Sequence, residues 1–379
     1  GEASVQIVKT QDTVYLKEIT APSGYRINAT AYNVKLEVSK TTTVTVSDEE
    51  QLGQLTVYKE GEVLVGADVT ENGTTFKYEK RRQKGAVYDV YAGADIKTAY
   101  GTKVYSKGDL VKENLTTDTN GAIVLKNLHL GTYVVKEKQA PTGFYNAGEE
   151  KKVTLSYAGQ NVDVVFSETT FTNDRQKAEV IVTKQDEDTE NPLDGGIFGL
   201  YAASDITNAD GAVVVKKGTL IQKATTGADG TAKFTADLPL GFSYDVKEVQ
   251  APEGYVLDTT KQYFNIRTNN QTVTIRTANT SQMGQIAVRK DDGDTGKPVA
   301  APATFEIRAA ADIKTPDGTL KLAAGQLADT VTTQGGIGTT KQLYLGEYGV
   351  TEKTAPSGYV QDGKRYPVTL AYGGQTVQS

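Results

Sequence analysis

The chain of 379 residues contains no cysteine and no tryptophan, and its one histidine is His129. Without cysteine, disulfides, thiolate metal sites and cysteine nucleophiles are excluded. A single histidine leaves almost nothing for a histidine metal cluster or a Ser–His–Asp triad, and we expect His129 to be an exposed turn residue. Since no run of about 18 apolar residues is present, no membrane span is predicted.

The charge balance is slightly acidic, with 41 Lys and Arg against 47 Asp and Glu, a net charge of −6. Nucleic acid is therefore not an expected partner. The acidic runs at 186–188 and 291–294 lack the Gly and Glu that complete a calcium loop, so we interpret them as turns and predict neither a metal nor a cofactor. No secretion signal opens the chain at Gly1, so we expect any such signal to have been removed or to lie outside this segment.

Three short phrases recur at domain-sized intervals. The first, the opener, ends in lysine and covers residues 53–59, 178–184 and 284–290. The second, the Asp-Ile phrase, contains the pairs Asp95-Ile96, Asp205-Ile206 and Asp312-Ile313. The third, the Glu phrase, continues into Ala-Pro-x-Gly and begins at Glu18, Glu137, Glu248 and Glu352. We predict its Ala-Pro-x-Gly part to be a type I turn with Pro second and Gly fourth.

The order of these phrases predicts four modules. Residues 1–52 are the C-terminal half of a module, 53–176 and 177–283 are complete modules, and 284–379 is a module without its last strand. Residues 60–84 are an insertion in the first complete module. Period-two alternation between turns predicts an all-β sandwich in each module, and the short joins predict a stiff row.

Several charged or amide side chains lie in phase with apolar residues of predicted strands. Residues i, i+2 and i+4 of a strand share a face, so these side chains should point into the core. The inward glutamates are Glu18, Glu137, Glu248 and Glu352, and the inward lysines are Lys59, Lys184 and Lys290. The closing strands supply Asn173 and Asn279, and a predicted strand at 43–48 supplies Asp48 in phase with Val44 and Val46.

A lysine, a glutamate and an asparagine buried together suggest a covalent reaction. Burial lowers the pKa of lysine and raises that of glutamate, which favours a neutral amine beside a protonated acid. The amine is a nucleophile, the acid relays protons, and the asparagine amide is the electrophile. Attack releases ammonia and leaves an isopeptide cross-link, and proximity contributes roughly 7–11 kcal/mol toward such a barrier.

The same residues have a simpler interpretation. They form a buried Lys–Glu salt bridge in which asparagine satisfies the remaining hydrogen bonds, since structural ion pairs also perturb pKa values. Repetition of the three inward residues in the same order favours the reaction, but it leaves the salt bridge open.

The modules resemble the Cna B-type, or SpaA-like pilin, domains of Gram-positive surface proteins. The features that carry the resemblance are the opener ending in lysine, the phrase Tyr-x-Val-x-Glu-x-x-Ala-Pro-x-Gly-Tyr and the closing asparagine. The resemblance covers essentially the whole chain. It implies a rod of reverse-immunoglobulin-like, prealbumin-like sandwiches. In each, a glutamate assists a spontaneous Lys–Asn or Lys–Asp bond between the first and last strands.

Carried over to this chain, the resemblance implies two cross-links. These are Lys59–Asn173 with Glu137, and Lys184–Asn279 with Glu248. Lys290 beside Glu352, and Asp48 beside Glu18, are expected to be unpaired in this segment.

The function implied is that of a structural stalk segment of an adhesin or pilin. It would lie outside the cell, on a Gram-positive cell wall, held by an anchor outside this segment. The alternative is that one module, such as 53–176 with its insertion, binds a host extracellular-matrix protein or glycan. We do not expect an enzyme, because no repeated outward polar cluster is present and the cross-linking is single-turnover self-modification.

Overall fold

The computed structural model describes residues 1–267 and 270–379, and these residues form strands and turns without a helix. The all-β prediction is confirmed. None of the described residues belongs to a helix that could cross a membrane. The chain divides into two compact units, one of residues 1–63 with 78–176 and one of residues 64–77 with 177–379.

The strands follow the repeats of the sequence. Residues 1–52 contain β1 (Thr13–Lys17), β2 (Tyr25–Arg26), β3 (Ala31–Lys35) and β4 (Glu49–Glu50). Module 53–176 contains β5 (Leu52–Thr70), β6 (Gly73–Arg82), β7 (Val87–Ala92), β8 (Ile96–Lys97), β9 (Lys103–Tyr105), β10 (Leu110–Thr116), β11 (Ala122–Leu128), β12 (Gly131–Gln139), β13 (Glu150–Leu155) and β14 (Val164–Asn173).

The remaining modules repeat most of this series. Module 177–283 contains β15 (Ala178–Asp186), β16 (Ile197–Ala202), β17 (Ile206–Thr207), β18 (Val213–Val215), β19 (Leu220–Thr225), β20 (Thr231–Phe234), β21 (Ser243–Gln250), β22 (Gln262–Asn265) and β23 (Gln271–Asn279). Module 284–379 contains β24 (Met283–Gly284), β25 (Ala287–Arg289), β26 (Thr304–Ala309), β27 (Ile313–Lys314), β28 (Leu320–Leu322), β29 (Leu327–Thr332), β30 (Ile337–Thr339), β31 (Leu343–Tyr344), β32 (Gly346–Thr354) and β33 (Arg365–Leu370).

Each complete module is a sandwich of two sheets around one apolar core. In module 53–176 the sheets have the orders β10-β7-β12-β13 and β11-β5-β14, and in module 177–283 they are β19-β16-β21-β22 and β20-β15-β23. The opening and closing strands are parallel neighbours, β5 with β14 and β15 with β23. This pairing brings together residues from the two ends of a module.

Module 284–379 keeps the four-stranded sheet β29-β26-β32-β33, but its other layer is smaller. Its opening strand is split into β24 and β25, which pair antiparallel with β31 and β30. Among the described residues, β25 has no parallel partner of the kind that β14 and β23 provide. The opener is therefore flanked on one side only.

The prediction of a strand at 43–48 is wrong. Residues 41–48 form no strand, and Val46 is 36% exposed. Leu16, which lies two residues before Glu18 and so in phase with it, is 44% exposed. The physical reason is the missing neighbour: a closing strand pairs with the opener of its own module, and residues 1–52 contain no opener phrase.

The Asp-Ile phrase has a structural role in each complete sandwich and in module 284–379. Its isoleucines, Ile96, Ile206 and Ile313, are buried, while its aspartates cap the following hairpin. Each aspartate accepts a backbone N–H from twelve residues downstream, in the pairs Asp95–Lys107, Asp205–Lys217 and Asp312–Ala324 at 2.8–2.9 Å.

The turn of the Glu phrase differs from the predicted one. The N–H of Tyr255 donates to the carbonyl of Pro252 at 3.2 Å, so proline is the first residue of the turn and not the second. Gly254 is then third, with φ of +85°, as a type II turn requires. The same bond forms in the other three copies, and their glycines also have positive φ.

The predicted insertion 60–84 is a β-hairpin that continues the opening strand. β5 runs on to Thr70 and returns as β6. The tip, residues 64–77, belongs to the second unit, where the Thr74 hydroxyl donates to the carbonyl of Leu220 at 2.7 Å.

Candidate cross-linking site

The side chains of Lys59, Glu137 and Asn173 meet inside module 53–176. Lys59 lies on β5, Asn173 ends the neighbouring strand β14, and Glu137 lies on β12 of the facing sheet. Period two turns Lys59 and Glu137 inward with the apolar residues of their strands. Relative exposures are 0% for Lys59, 6% for Glu137 and 4% for Asn173, so the predicted inward orientation is present.

Within this group the lysine amine contacts both partners. Its Nζ lies 2.7 Å from Oε1 of Glu137 and donates to Oδ1 of Asn173 in a very short contact. Among the described residues, Oε2 of Glu137 and Nδ2 of Asn173 have no hydrogen-bond partner. The amine therefore sits against the amide that it would attack.

Lys184, Glu248 and Asn279 form the corresponding group in module 177–283, with a different set of contacts. Nζ of Lys184 lies 3.3 Å from Oε1 of Glu248, while Nδ2 of Asn279 donates to Oε2 of the same carboxylate at 2.9 Å. The second hydrogen of that amide goes to the carbonyl of Val256 at 2.8 Å. Glu248 thus bridges the lysine and the asparagine.

A backbone amide ten residues downstream orients three of the four glutamates. Oε2 of Glu248 accepts the N–H of Asp258 at 3.0 Å. Oε2 of Glu352 accepts the N–H of Asp362 at 2.7 Å, and Oε2 of Glu18 accepts the N–H of Asn28 at 2.8 Å. In Glu248 and Glu352 this bond leaves Oε1 to face the lysine. The sequence analysis missed it, because the donor is a backbone group that no residue type marks.

An aromatic side chain that the sequence analysis also missed borders each complete group. The Tyr88 hydroxyl lies 3.5 Å from Oε1 of Glu137, and Nζ of Lys184 lies 5.7 Å from the ring centre of Phe198. In module 284–379 the same position is Phe305, which is also buried. The signal was an aromatic residue seven places before each aspartate of the Asp-Ile phrase.

Desolvation dominates the electrostatics of the lysines. Burial lowers the pKa of Lys59, although the neighbouring Glu137 acts in the opposite direction. Burial likewise lowers the pKa of Lys184 against the effect of Glu248. Because the charged form is disfavoured, both sites favour a nucleophilic amine.

Lys290 and Glu352 make the same ion pair in module 284–379, at 2.9 Å between Nζ and Oε1. The lysine side chain is 17% exposed, whereas those of Lys59 and Lys184 are fully buried. The difference follows from the open flank of β25, where no closing strand of the described part of the chain covers the lysine.

Glu18 and Asp48 lie together in residues 1–52, although the predicted strand is absent. Burial and the nearby Glu18 raise the pKa of Asp48. Among the described residues, Oδ1 of Asp48 has no hydrogen-bond partner, so this pair lacks the lysine contact of the other sites.

The structure also tests the predictions for His129 and for the acidic run at 186–188. His129 is not an exposed turn residue: its side chain is 28% exposed, and Nδ1 lies 3.0 Å from Oε1 of Glu50. In the acidic run that begins at Asp186, Oδ1 of that residue accepts the N–H groups of Asp188 and Thr189, an arrangement that caps a turn.

Comparison with known proteins identifies similar domains and folds. The chain matches the SpaA prealbumin-like fold domain at residues 71–170, 178–281 and 284–379. It is similar to the solved structure of the Bacillus anthracis TIE protein, with a TM-score of 0.56 and 24% identity over 92% of this chain and 53% of that chain. The chain thus spans about half the length of that structure, and the likeness shows a shared fold.

Two pilin structures are similar at lower scores. BcpA, the major pilin subunit of Bacillus cereus, has a TM-score of 0.30 and 17% identity over 86% of this chain and 97% of that chain. A streptococcal ancillary pilin has a TM-score of 0.27 and 20% identity over 84% of this chain and 95% of that chain. No curated protein matches the sequence.

Proposed function

Because the chain belongs to the SpaA family of prealbumin-like fold domains, we propose that it is a stalk segment of a Gram-positive cell-surface adhesin or pilin, cross-linked by isopeptide bonds. The bonds are Lys59–Asn173 and Lys184–Asn279, one in each complete module. The observation that carries the proposal is the buried group in module 53–176, where the Lys59 amine contacts both Glu137 and Asn173.

The proposed reaction needs no external reagent. The Lys59 ammonium gives a proton to Glu137, and the neutral amine attacks Cγ of Asn173. A Cγ–Nζ bond forms and the Cγ–Nδ2 bond breaks. Proton transfer through Glu137 moves a hydrogen from Nζ to Nδ2, which leaves as ammonia, and the carboxyl group is regenerated.

The product removes an electrostatic cost that the simple salt bridge would retain. A buried ion pair must repay the desolvation of two charges, whereas a secondary amide is neutral. The bond also requires no oxidising compartment, which fits a chain without cysteine. The salt bridge remains the competing interpretation, and the two differ in mass.

The host-binding alternative would use the hairpin 60–84 as a recognition loop. Part of that hairpin is already engaged, because Thr74 at its tip bonds the carbonyl of Leu220 and is buried. A hairpin that is partly engaged therefore fits the role of a structural stalk better than that of a free recognition loop.

Intact mass spectrometry tests the proposed bonds. We expect the purified chain to be lighter than its sequence mass by two ammonia molecules, with cross-linked tryptic peptides joining Lys59 to Asn173 and Lys184 to Asn279. Glu248→Gln should restore the mass of one ammonia, because the amide keeps the shape of the carboxylate but does not accept the lysine proton.

The matched control is Glu253→Gln, an exposed position five residues along the same phrase, which should keep both losses. The full unreacted mass in the unaltered chain would overturn the cross-links. It would leave the family and the fold untouched, with Lys–Glu salt bridges in the cores.

A further inference from the structure

Two joins between modules are built from the same contacts. One connects residues 1–52 to module 53–176 inside the first unit, and the other connects modules 177–283 and 284–379 inside the second. In each, the Ala-Pro-x-Gly-Tyr turn of the leading module faces a loop of the following module. We call this loop the Tyr-x-Gly-Gln loop; it covers residues 157–160 in the first join and 372–375 in the second.

A buried glutamine from the join enters the loop. Gln51 donates from Nε2 to the carbonyls of Gly159 and Val162 at 2.9 and 2.6 Å, and its Oε1 accepts the N–H of Ala158 at 2.9 Å. Three bonds thus satisfy both amide hydrogens and the amide oxygen.

Gln282 repeats these three bonds in the second join. Its Nε2 donates to the carbonyls of Gly374, at 3.0 Å, and Val377, and its Oε1 accepts the N–H of Gly373 at 2.7 Å. Gln51 and Gln282 are 0% and 3% exposed, so loss of either amide would leave buried backbone groups unpaired.

The glutamine of the loop makes the reciprocal contacts. Oε1 of Gln375 accepts the N–H of Ala251 at 2.9 Å, and its backbone carbonyl accepts the N–H of Leu257 at 2.8 Å. The Tyr372 hydroxyl donates to the carbonyl of Tyr255 at 3.4 Å. In the first join the equivalent pairs are Ala21–Gln160 at 2.7 Å, Ile27–Gln160 at 3.0 Å and Tyr157–Tyr25 at 3.2 Å.

The glutamine at the end of module 53–176 behaves differently. Gln176 stands where Gln51 and Gln282 stand, but its Nε2 donates to the carbonyl of Phe144 in its own module at 3.3 Å. In module 177–283 the sequence has Thr268 where the two loops have Tyr157 and Tyr372. The two joins with reciprocal bonds thus carry both sequence signatures, the glutamine after the turn and the Tyr-x-Gly-Gln loop.

We propose that the Ala-Pro-x-Gly-Tyr turn with its following glutamine is a docking surface whose partner is the Tyr-x-Gly-Gln loop of another module of this kind. Reciprocal glutamines lock the two modules in one orientation. Module pairs with both signatures form stiff joins, and this conclusion does not depend on the isopeptide bonds.

Distance measurements between spin labels in the full chain test the proposal. Because the chain has no native cysteine, Lys223→Cys and Thr330→Cys introduce one label in each module of the second unit, both at exposed strand positions away from the join. We expect a single narrow distance distribution. Gln375→Ala and Gln282→Ala should each at least double its width, and Tyr372→Phe should broaden it less.

Gln334→Ala is the matched control, since this exposed glutamine lies in module 284–379 away from the join, and its distribution should stay narrow. A distribution that is already broad in the unaltered chain would overturn the proposal. Distance distributions of equal width in Gln375→Ala and Gln334→Ala would also overturn it. Unchanged circular dichroism and unfolding temperature of each variant separate loosening of the join from unfolding of a module.

Discussion

At the scale of single residues, Glu137 and Glu248 contact the groups that the proposed reaction would join. In module 177–283, Glu248 contacts the lysine through one oxygen and the asparagine amide through the other. A carboxyl group in this position can accept a proton from the amine and return one to the leaving nitrogen. In module 53–176 the lysine itself contacts the amide oxygen, so the two sites show two arrangements of the same three groups.

The lowered pKa of Lys184 predicts a pH dependence of stability in an unbonded chain. Since the folded pKa lies below the unfolded value of about 10.4, the unfolded state binds more protons between the two values. The free energy of unfolding should therefore rise with pH in this window. Below the folded pKa the lysine's contribution no longer changes with pH.

Urea unfolding of Asn279→Ala, in which no bond forms in module 177–283, measures this dependence. The double variant Asn279→Ala with Lys184→Met lacks the amine and is the reference. As the pH rises, the free energy of unfolding of Asn279→Ala should increase relative to that of the double variant. A difference that is constant, or that moves the other way, would contradict the lowered pKa.

At the scale of elements, the parallel pairing of opening and closing strands is the feature that matters. Lys59 and Asn173 are 114 residues apart in sequence, and β5 and β14 bring them together. A bond here closes almost the whole module into one loop. By analogy with disulfides, closing a loop of about 100 residues contributes about 4–5 kcal/mol through the unfolded state.

Asn173→Ala should therefore lower the free energy of unfolding of module 53–176 by about 4–5 kcal/mol, apart from the small loss of the side chain's own contacts. Chemical denaturation monitored by tyrosine fluorescence measures the change. The same substitution in a chain that already carries Lys59→Met should have a much smaller effect, because no bond remains to be lost. Equal effects in both backgrounds would show that the amide acts only as a hydrogen-bonding group.

The sequence predicted most strands that carry site residues, but not all. The Glu phrase lies on β12, β21 and β32 and turns its glutamate inward, because a period of two is a local property of the backbone. The strand predicted at 43–48 has the same alternation and does not form. A strand also needs a hydrogen-bonding neighbour, and the pattern of one segment does not say whether that neighbour is present.

At the scale of the whole molecule, cross-links alter how the chain responds to force. With the proposed bonds formed, pulling on the two chain ends would transmit tension through Lys59 and Asn173, and through Lys184 and Asn279. The segments between the bonded residues would then bear no load. Among the described residues, module 284–379 has the Lys290–Glu352 ion pair but no closing strand beside β25, and no bond is proposed there. It should be the weakest of the three SpaA-type modules under tension.

Single-molecule pulling should show this difference. We expect a release of roughly 320–350 Å from the 96 residues (379 − 284 + 1) of module 284–379, with no comparable step from the two complete modules. Lys59→Arg with Lys184→Arg should add two further steps, since arginine cannot form the bond. Three full-length steps in the unaltered chain would count against the cross-links.

The sequence by itself determined the all-β class, the repeated modules and the inward lysine, glutamate and asparagine. These follow from composition, from phrases that recur at a fixed order, and from the alternation of side chains along a strand. Only the tertiary structure decided which inward residues meet, how the amide of Asn279 is held, and which backbone carbonyls Gln51 and Gln282 bond at two joins. These features depend on pairing between segments roughly a hundred residues apart or on backbone carbonyls and amides, and neither is encoded in the residue types of one segment.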